Sequence, residues 1–405
     1  MLDLKAKNKQ LARQWISYAT FYLCRVNFAI AAPVLMLLLG FSDLDIGVIS
    51  SGMLGAYAVG QFINGQINEK YAKKLMSIGM FGSAAMNFMM AFAYDPMVMA
   101  VLWIFNGYFQ STGWNASTKI VANWFHPNER GKACGILGTS YQIGNVFSWL
   151  LAGYAVAIGW HWGFIIPATL FAVSGIHWTL VGKQAPEEYT RETIEGYSES
   201  EDTYLGFKWT LRRVLLDWRV WAGAFALFFL NIIRYGFLTW APTMLFELDP
   251  NITSVALKAL VFPLAGSVGG LTIGLVEEKI RNVTRVGVVF LLCLTGLMLL
   301  YPSLTTGAFA LACLAGIGFF TYAPHVLVVT RLPMLLGTRK GTASVTGFID
   351  MMGYVGATVT GIATAVFTGM GGWNMAFTFW AVGAFGSAMA LALLWNLKKK
   401  KETYM

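Results

Sequence analysis

Apolar runs about 20 residues long recur along the whole chain, and they restrict its fold more than any other feature. A helix of that length spans a bilayer core of about 30 Å, and it satisfies its own backbone hydrogen bonds in hydrocarbon. Hydrophobic residues make up 57% of the chain and charged residues 12%, about half the charged share of a soluble domain. The sequence therefore predicts an all-α polytopic membrane protein.

Twelve such runs predict twelve transmembrane helices, with a polar stretch after the sixth. The ranges are 15–38, 46–68, 75–94, 97–119, 133–157, 162–182, 220–246, 254–276, 286–303, 306–331, 342–369 and 373–395. We predict an N-terminal six-helix half at 1–182, a cytoplasmic linker at 183–219 and a C-terminal six-helix half at 220–405.

The net charge of +9 reflects membrane topology. Most of the 29 Lys and Arg lie in the termini and in the even-numbered connections between spans, as Lys5, Lys70, Arg130 and Lys398 do. Basic residues concentrate in cytoplasmic loops, so both termini are predicted to be cytoplasmic in an inner or plasma membrane. Since no basic face is continuous, a nucleic-acid partner is not expected. The expected partners are lipids and a small anion, and the expected state is a monomer.

A repeat joins the two predicted halves. Arg25 and Arg234 are 209 residues apart, and so are Gly144 and Gly353 in the fifth and eleventh predicted spans. A shared offset across several helices indicates duplication. Two parallel six-helix repeats are the architecture of major facilitator transporters, which bind substrate near the midplane between the halves.

Arg25 and Arg234 each lie near the middle of a predicted span, in the first and seventh helices. A guanidinium facing lipid there would cost at least about 2.5–3.5 kcal/mol, so both are expected to face a wet cavity. Planar guanidinium groups bind tetrahedral oxyanions bidentately. The sequence therefore predicts an anion site, with an arginine paired to a buried carboxylate as the structural alternative.

Several short motifs support a more specific hypothesis. They are Tyr18-Ala-Thr-Phe-Tyr22-Leu-Cys-Arg25-Val-Asn27, Asn231-Ile-Ile-Arg234-Tyr235-Gly236, Gly113-Trp114 and Glu129-Arg130-Gly131. These motifs resemble those of the organophosphate:phosphate antiporters, the family of the glycerol-3-phosphate and hexose-phosphate transporters. The resemblance implies exchange of a phosphate ester for inorganic phosphate by alternating access, with Arg25 and Arg234 binding the phosphate.

This chain departs from the resemblance at two positions. Where glycerol-phosphate members carry a lysine in the second span and a histidine in the fifth, this sequence has Gln61 and Tyr141. Both side chains donate hydrogen bonds but supply no positive charge. The identity of the anion is therefore less constrained than the presence of an anion site.

Two titratable residues, His325 and Asp350, lie inside predicted spans of the C-terminal half, at similar depths from the cytoplasmic ends of their helices. Intramembrane ionisable groups are functional candidates by default, although a structural pair with an Arg or a His is the alternative. Asp350 leaves open a proton-coupled symporter of a sugar acid or other carboxylate. A sugar-phosphate membrane sensor is a minor alternative.

Aromatic residues are predicted to line the same cavity. Tyr18 and Tyr22 precede Arg25 by seven and three residues, and Tyr57 precedes Gln61 by four, spacings that share a helix face. Packing is the alternative role for the three tyrosines. Trp114 is a further lining candidate, and its alternative role is that of an anchor at the membrane interface.

The loop motifs are predicted to act in gating. The residues are Glu69, Lys70, Glu129, Arg130, Glu278 and Lys279. The sequence has no nucleophile–base pair or metal-ligand spacing of the kind that enzymes use. We therefore expect neither catalysis nor a metal or cofactor.

Overall fold

The computed structural model describes residues 4–186, 215–276, 282–301, 307–336 and 342–396, and within them the chain is helical almost throughout. The α-helices are α1 Leu4–Phe21, α2 Asn27–Leu39, α3 Asp43–Met90, α4 Pro96–Gln110, α5 Thr112–Trp124, α6 Pro127–Ile158, α7 Trp162–Val181, α8 Trp218–Leu248, α9 Ile252–Ala259, α10 Val261–Val276, α11 Val283–Leu300, α12 Ala308–Val326, α13 Leu332–Leu336 and α14 Thr342–Ala392. A 3₁₀ turn, Tyr22–Cys24, follows α1, and a π-helical turn, Leu327–Arg331, follows α12.

Each of the predicted spans coincides with helical structure in the described residues. The second and third spans form the single helix α3, whose only non-helical residue is Tyr71, and the last two spans form α14 with a break at Gly371 and Gly372. Seven stretches of the described chain are long and apolar enough to cross a membrane. This confirms the all-α membrane fold, whereas the number of crossings stays a prediction.

Local sequence signals explain where several helices begin and end. At the start of α3, the Ser42 amide donates to Asp45 at 2.9 Å and the Asp45 amide donates to the Ser42 hydroxyl at 3.2 Å, a reciprocal capping box. Asp95 caps α4 ahead of Pro96, and proline is favoured in the first helical turn. Gly40, with φ 72°, ends α2 in the left-handed region.

The described chain divides into two compact units. The first contains residues 4–186 together with Leu238–Pro263, and the second contains 215–237 and the described residues from 264 onward. Helix α8 therefore contributes its first part to the second unit and its last part to the first. Within the first unit, α9 packs against α6.

The sequence repeat is visible in the packing inside each unit. In the first unit, a Cβ added at Gly144 would lie 3.1 Å from Cβ of Tyr22, and in the second unit one added at Gly353 would lie 2.7 Å from Nδ2 of Asn231. Tyr22 and Asn231 are themselves 209 residues apart. The absence of a side chain at the two glycines lets α6 approach the end of α1, and α14 approach α8, at equivalent positions.

The break in α14 depends on a glycine, and this can be tested by substitution. Gly372 has φ 64° and ψ −162°, a region essentially restricted to glycine that costs other residues about 1–3 kcal/mol. Gly372→Ala is therefore expected to lower the free energy of unfolding by that amount, measured as a lower midpoint of thermal unfolding in detergent. Gly369→Ala is the matched control, because an added Cβ meets nothing within 4 Å at either position. Equal midpoints for the two variants would contradict a backbone origin of the effect.

Candidate functional site

The first predicted span is interrupted where its arginine lies. α1 ends at Phe21, a 3₁₀ turn follows, and α2 starts at Asn27. Arg25 and Val26 have φ values of −112° and −109°, well outside the usual α-helical value of about −63°. The interruption carries Arg25 on a short irregular segment between two helices.

Side chains from neighbouring helices bind the carbonyl groups of this interruption. The Phe21 oxygen accepts from Nε2 of Gln110 at 3.0 Å, and the Val26 oxygen accepts from Nε1 of Trp149 at 3.1 Å. The Cys24 oxygen accepts from Nδ2 of Asn106 at 2.8 Å and from Nδ2 of Asn87 at 3.1 Å. Unsatisfied backbone groups are costly in a membrane, so these amides stabilise a break that an isolated helix would avoid.

The amides also bind one another in a continuous buried network. Nε2 of Gln110 donates to the Ser83 hydroxyl at 2.8 Å, and that hydroxyl donates to Oδ1 of Asn106 at 2.6 Å. Nδ2 of Asn27 donates to Oδ1 of Asn87 at 2.9 Å. All five side chains are fully buried. A buried network of this kind specifies one geometry when its members are satisfied.

The network extends to the Arg25 guanidinium. Nε of Arg25 donates to Oε1 of Gln110 at 3.0 Å, and Nη1 donates to the Tyr22 hydroxyl at 3.2 Å. The guanidinium carbon lies 4.6 Å from the centre of the Tyr22 ring and 4.7 Å from that of Tyr57. These distances are within the range of cation–π contacts. The contacts orient the arginine through neutral partners and leave its charge unchanged.

The other sequence-predicted residues of the first unit surround this arginine. Nε2 of Gln61 donates to the Tyr57 hydroxyl at 2.9 Å. The Tyr18 ring lies 5.2 Å from Trp114 and 6.1 Å from Tyr22, centre to centre, and Tyr22 lies 6.4 Å from Tyr141. The structure thus brings seven predicted residues of the first unit into one cluster. They are Tyr18, Tyr22, Arg25, Tyr57, Gln61, Trp114 and Tyr141.

Arg234 has a comparable environment in the second unit. It is 7% exposed, and its guanidinium carbon lies 4.9 Å from the centre of the Tyr235 ring and 5.1 Å from that of Tyr322. Its Nη1 lies 3.4 Å from Nε2 of His325. Each unit therefore holds one arginine over two tyrosine rings.

The arginine also determines the tautomer of His325. Because Nη1 of Arg234 is only a donor, Nε2 of His325 has to accept. The ring proton of the neutral histidine is then assigned to Nδ1, which is buried and has no hydrogen-bond partner among the described residues. His325 therefore has one donor N–H that remains available for a ligand.

Asp350 is the remaining predicted residue of the second unit. It is half-buried on α14, and Arg234 is close enough for its charge to act on both Asp350 and His325. The Tyr354 ring, one helical turn further on, lies 5.9 Å from Tyr235. The structure therefore groups the acid and the histidine of the second unit around one arginine.

Residues that sequence reasoning missed complete both clusters. Gln110 precedes Trp114 by four residues and Tyr322 precedes His325 by three, so both share a helix face with a predicted residue. That spacing was the available signal. It did not distinguish a residue that contacts the arginine from one that packs elsewhere.

The predicted gating residues are only partly described. Glu278, Lys279 and the side chain of Glu69 lie outside the described residues. The carbonyl oxygen of Lys70 accepts from Nε2 of Gln184 at 2.9 Å, and its ammonium lies 5.3 Å from the centre of the Tyr71 ring. Their gating role stays a prediction.

Glu129 and Arg130 make well-defined contacts at the start of α6. Nζ of Lys7 lies 2.8 Å from Oε2 of Glu129. This hydrogen bond and that of the His126 amide lower the pKa of Glu129 below its ordinary value. Arg130 donates to the Phe125 and Ala122 carbonyls at 3.1 and 3.0 Å. The Arg130 contacts satisfy carbonyls at the end of α5.

Comparison with protein families adds an independent finding. The sequence profile of the Major Facilitator Superfamily matches residues 14–359. The membrane sensor protein UhpC of Escherichia coli is 26% identical over 96% of this chain and 92% of its own length. The glycerol-3-phosphate transporter of Bacillus subtilis is 27% identical over 96% and 92%. The probable hexose phosphate transport protein of Chlamydia pneumoniae is 26% identical over 95% and 90%.

Solved structures show the same fold. A bacterial homolog of the human lysosomal transporter Spinster, in an inward-facing and unoccupied conformation, matches with a TM-score of 0.74 and 12% identity, covering 98% of this chain and 96% of its own. The nucleoside transporter NupG matches with a TM-score of 0.72 and 16% identity, covering 96% and 100%. The fold of this chain is thus shared with solved transporters, whereas the division into two six-helix halves stays a prediction.

The amide network can be tested through Asn106. Asn106→Ala removes the 2.8 Å bond to the Cys24 carbonyl and the acceptor of the Ser83 hydroxyl. Loss of buried partners costs about 1–3 kcal/mol, so a lower midpoint of thermal unfolding is expected. Thr169→Ala is the control, because its exposed hydroxyl bonds only within its own helix, and a change within about 0.5 kcal/mol is expected. An unchanged midpoint for Asn106→Ala would show that the network does not support the break.

Proposed function

We propose, on the premise that this chain belongs to the Major Facilitator Superfamily, that it transports a phosphate ester in exchange for inorganic phosphate. Family membership makes it a multi-pass membrane transporter and not an enzyme. The ester is glycerol-3-phosphate or a sugar phosphate, and alternating access moves it across the membrane. The observation that carries the proposal is one arginine in each unit, each held over two tyrosine rings.

The chemistry of the two arginines suits a phosphate group. A guanidinium has five N–H donors in a planar fork, and Arg–phosphate pairs are frequently bidentate. The tyrosine and glutamine contacts of Arg25 fix the plane of its fork before a ligand arrives. We propose that Arg25 and Arg234 together bind the phosphate of the substrate.

The charge of the arginines gives a physical reason for exchange. Two like charges resist approach in a medium of low dielectric, and a bound dianion removes that repulsion. A ligand shifts a conformational equilibrium by its differential affinity for the two states. Because a bound anion favours the closed state of this transporter, the return step also requires a bound anion. Inorganic phosphate would serve as the returning anion.

The uncharged donors suit the rest of the substrate. Gln61, Tyr141 and the Nδ1–H of His325 supply hydrogen bonds without adding positive charge. Sugar hydroxyl groups and phosphoryl oxygens both accept such bonds. We propose that these residues recognise the organic part of the ester, together with Tyr18, Tyr22, Tyr57 and Trp114 as the walls of the site.

The names of the relatives support the same substrate class. Two of the three relatives described above are named as transporters of glycerol-3-phosphate or hexose phosphate.

The distribution of basic residues further supports an orientation with both termini cytoplasmic in the inner or plasma membrane. Asp350 is proposed to act near Arg234, where it adjusts the charge around the phosphate.

A second candidate function is sensing. A membrane sensor protein is among the relatives, with coverage as complete as that of the transporters. A sensor of this kind would bind a phosphate ester through the same two arginines. Sensing and transport therefore share the binding site and differ in whether ligand crosses the membrane.

Transport by exchange is tested in proteoliposomes. Vesicles loaded with inorganic phosphate are expected to accumulate labelled glycerol-3-phosphate or glucose-6-phosphate far faster than empty vesicles. Equal uptake by loaded and empty vesicles would contradict exchange. Uptake of a sugar acid that follows an inward proton gradient, is not inhibited by phosphate and is abolished by Asp350→Asn would instead establish the symporter. Ligand binding without any uptake would establish the sensor.

The role of the arginines is tested by Arg25→Gln and Arg234→Gln. Removing one partner of a desolvated charge pair costs about 2–5 kcal/mol, so each variant is expected to bind phosphate ester at least about 30-fold more weakly. Binding is measured as thermal stabilisation in detergent. Arg285→Gln is the matched control, since Arg285 is exposed and bonds to Asn396 at 2.9 Å. Wild-type ligand response in both site variants would refute the arginine site.

A further inference from the structure

A cavity of about 520 Å³ opens on the first unit where α7 ends. Basic side chains from three separate segments line it, namely Arg13 of α1, Lys73 of α3 and Lys183 just after α7. The remaining lining residues are Leu180, Val181, Gly182, Gln184 and Ala185. No carboxylate is present in this lining, so the cavity concentrates positive charge.

Side-chain hydrogen bonds hold in place the segment after α7 that lines the cavity, residues 182–185. Nε2 of Gln184 donates to the Lys70 carbonyl at 2.9 Å, and its Oε1 accepts from the Lys73 amide at 3.4 Å. Nε2 of Gln10 donates to the Lys183 carbonyl at 2.9 Å. These bonds tie the segment after α7 to both α1 and α3. The three basic residues are thereby grouped by the fold, although they are distant in the sequence.

An exposed apolar stripe on α7 leads to the cavity. Leu170, Val173, Ile176 and Leu180 follow one another at helical spacing and are 41%, 58%, 52% and 77% exposed. Exposed apolar residues on a helix of a multi-pass membrane protein contact acyl chains. The stripe ends at Leu180, which also lines the basic cavity. Acyl-chain contacts and positive charge therefore meet at this position.

From this arrangement we propose that the cavity binds the headgroup of an anionic phospholipid, with Arg13, Lys73 and Lys183 around the phosphate and an acyl chain along α7. Basic pockets beside membrane helices on the cytoplasmic side bind such headgroups. The phosphate chemistry alone would also suit a free phosphate ion, but the apolar stripe favours the lipid. The site uses none of the residues proposed for transport, so it does not depend on that function.

The test compares two double variants of the full chain with equal loss of charge. Arg13→Gln/Lys73→Gln removes two cations from the cavity. Lys9→Gln/Lys132→Gln removes two exposed cations that do not line it. Binding of phosphatidylglycerol in detergent is measured by native mass spectrometry, with phosphatidylcholine as the neutral lipid. Each basic residue near an anionic headgroup adds to the affinity for the lipid. Because two such residues are lost, the cavity variant is expected to bind phosphatidylglycerol about 30-fold more weakly.

The outcomes separate the proposal from general attraction to acidic lipids. Wild-type phosphatidylglycerol binding in the control variant, with weaker binding in the cavity variant, supports the site. Equally weakened phosphatidylglycerol binding in the two variants, or unchanged binding in both, overturns it. Displacement of the lipid by a millimolar excess of inorganic phosphate in the wild type would assign the cavity to free phosphate and overturn the lipid proposal.

A further comparison covers the case in which the cavity double variant does not fold. Thermal unfolding without added lipid first establishes that each variant is folded in the same detergent. If the double variant is unfolded, Lys73→Gln is compared with Lys132→Gln, and about fivefold weaker phosphatidylglycerol binding is expected for Lys73→Gln alone. Equal affinities for these two single variants would likewise overturn the proposal.

Discussion

The buried amide network of the first unit is the constraint on which the position of Arg25 depends. A backbone break inside a membrane helix is tolerated only where other groups satisfy the freed carbonyls. Here Gln110, Asn106, Asn87 and Trp149 bind the carbonyls around the break. Gln110 also binds Arg25 directly. One set of hydrogen bonds therefore both permits the break and orients the charged group on it.

The guanidinium groups of Arg25 and Arg234 donate to different acceptors in the two units. In the first unit, a neutral amide and a tyrosine hydroxyl accept from the guanidinium, whereas in the second unit an imidazole nitrogen does so. Both units add two tyrosine rings. Aromatic faces attract a cation but do not neutralise it. In the proposed function, this retains the positive charge that a phosphate group requires.

The difference between the units also suggests that they contribute differently to binding of the proposed substrate. The partners named for Arg25 are the Gln110 amide and the tyrosines Tyr22 and Tyr57. The surroundings of Arg234 include two ionisable residues, His325 and Asp350. The imidazole and carboxyl side chains named for the proposed site therefore lie in the second unit, and the phosphate group of the substrate is a further titratable group, with a second pKa of about 6. The basic cavity after α7 is lined by none of these residues, and its proposed ligand is a membrane lipid.

Much of the site could be predicted because helical spacing is a local property. In the first predicted span, Tyr18, Tyr22 and Arg25 share a helix face at intervals of four and three residues. The structure shows their side chains in one cluster. The offset of 209 residues likewise identified Arg234 as the counterpart of Arg25. It depends on the duplication and not on any detail of packing.

Contacts between distant segments could not be predicted in this way. Gln110 is 85 residues from Arg25 and His325 is 91 from Arg234, and no sequence periodicity relates such positions. A loop was predicted around Lys70, but α3 continues through this residue, and within the helix only Tyr71 leaves the helical conformation. Lys183 joins Arg13 and Lys73 only because Gln10 and Gln184 hold the end of α7 against α1 and α3.

The sequence by itself thus determined that the chain is a helical membrane protein with two related arginines, since hydrophobic length and an internal repeat are read along one dimension. The tertiary structure alone decided which amides hold the break, which ring accepts from Arg234 and where three basic residues meet. The physical reason is that each of these features is a contact between side chains on different helices. Such contacts depend on how helices pack, which local sequence patterns do not encode.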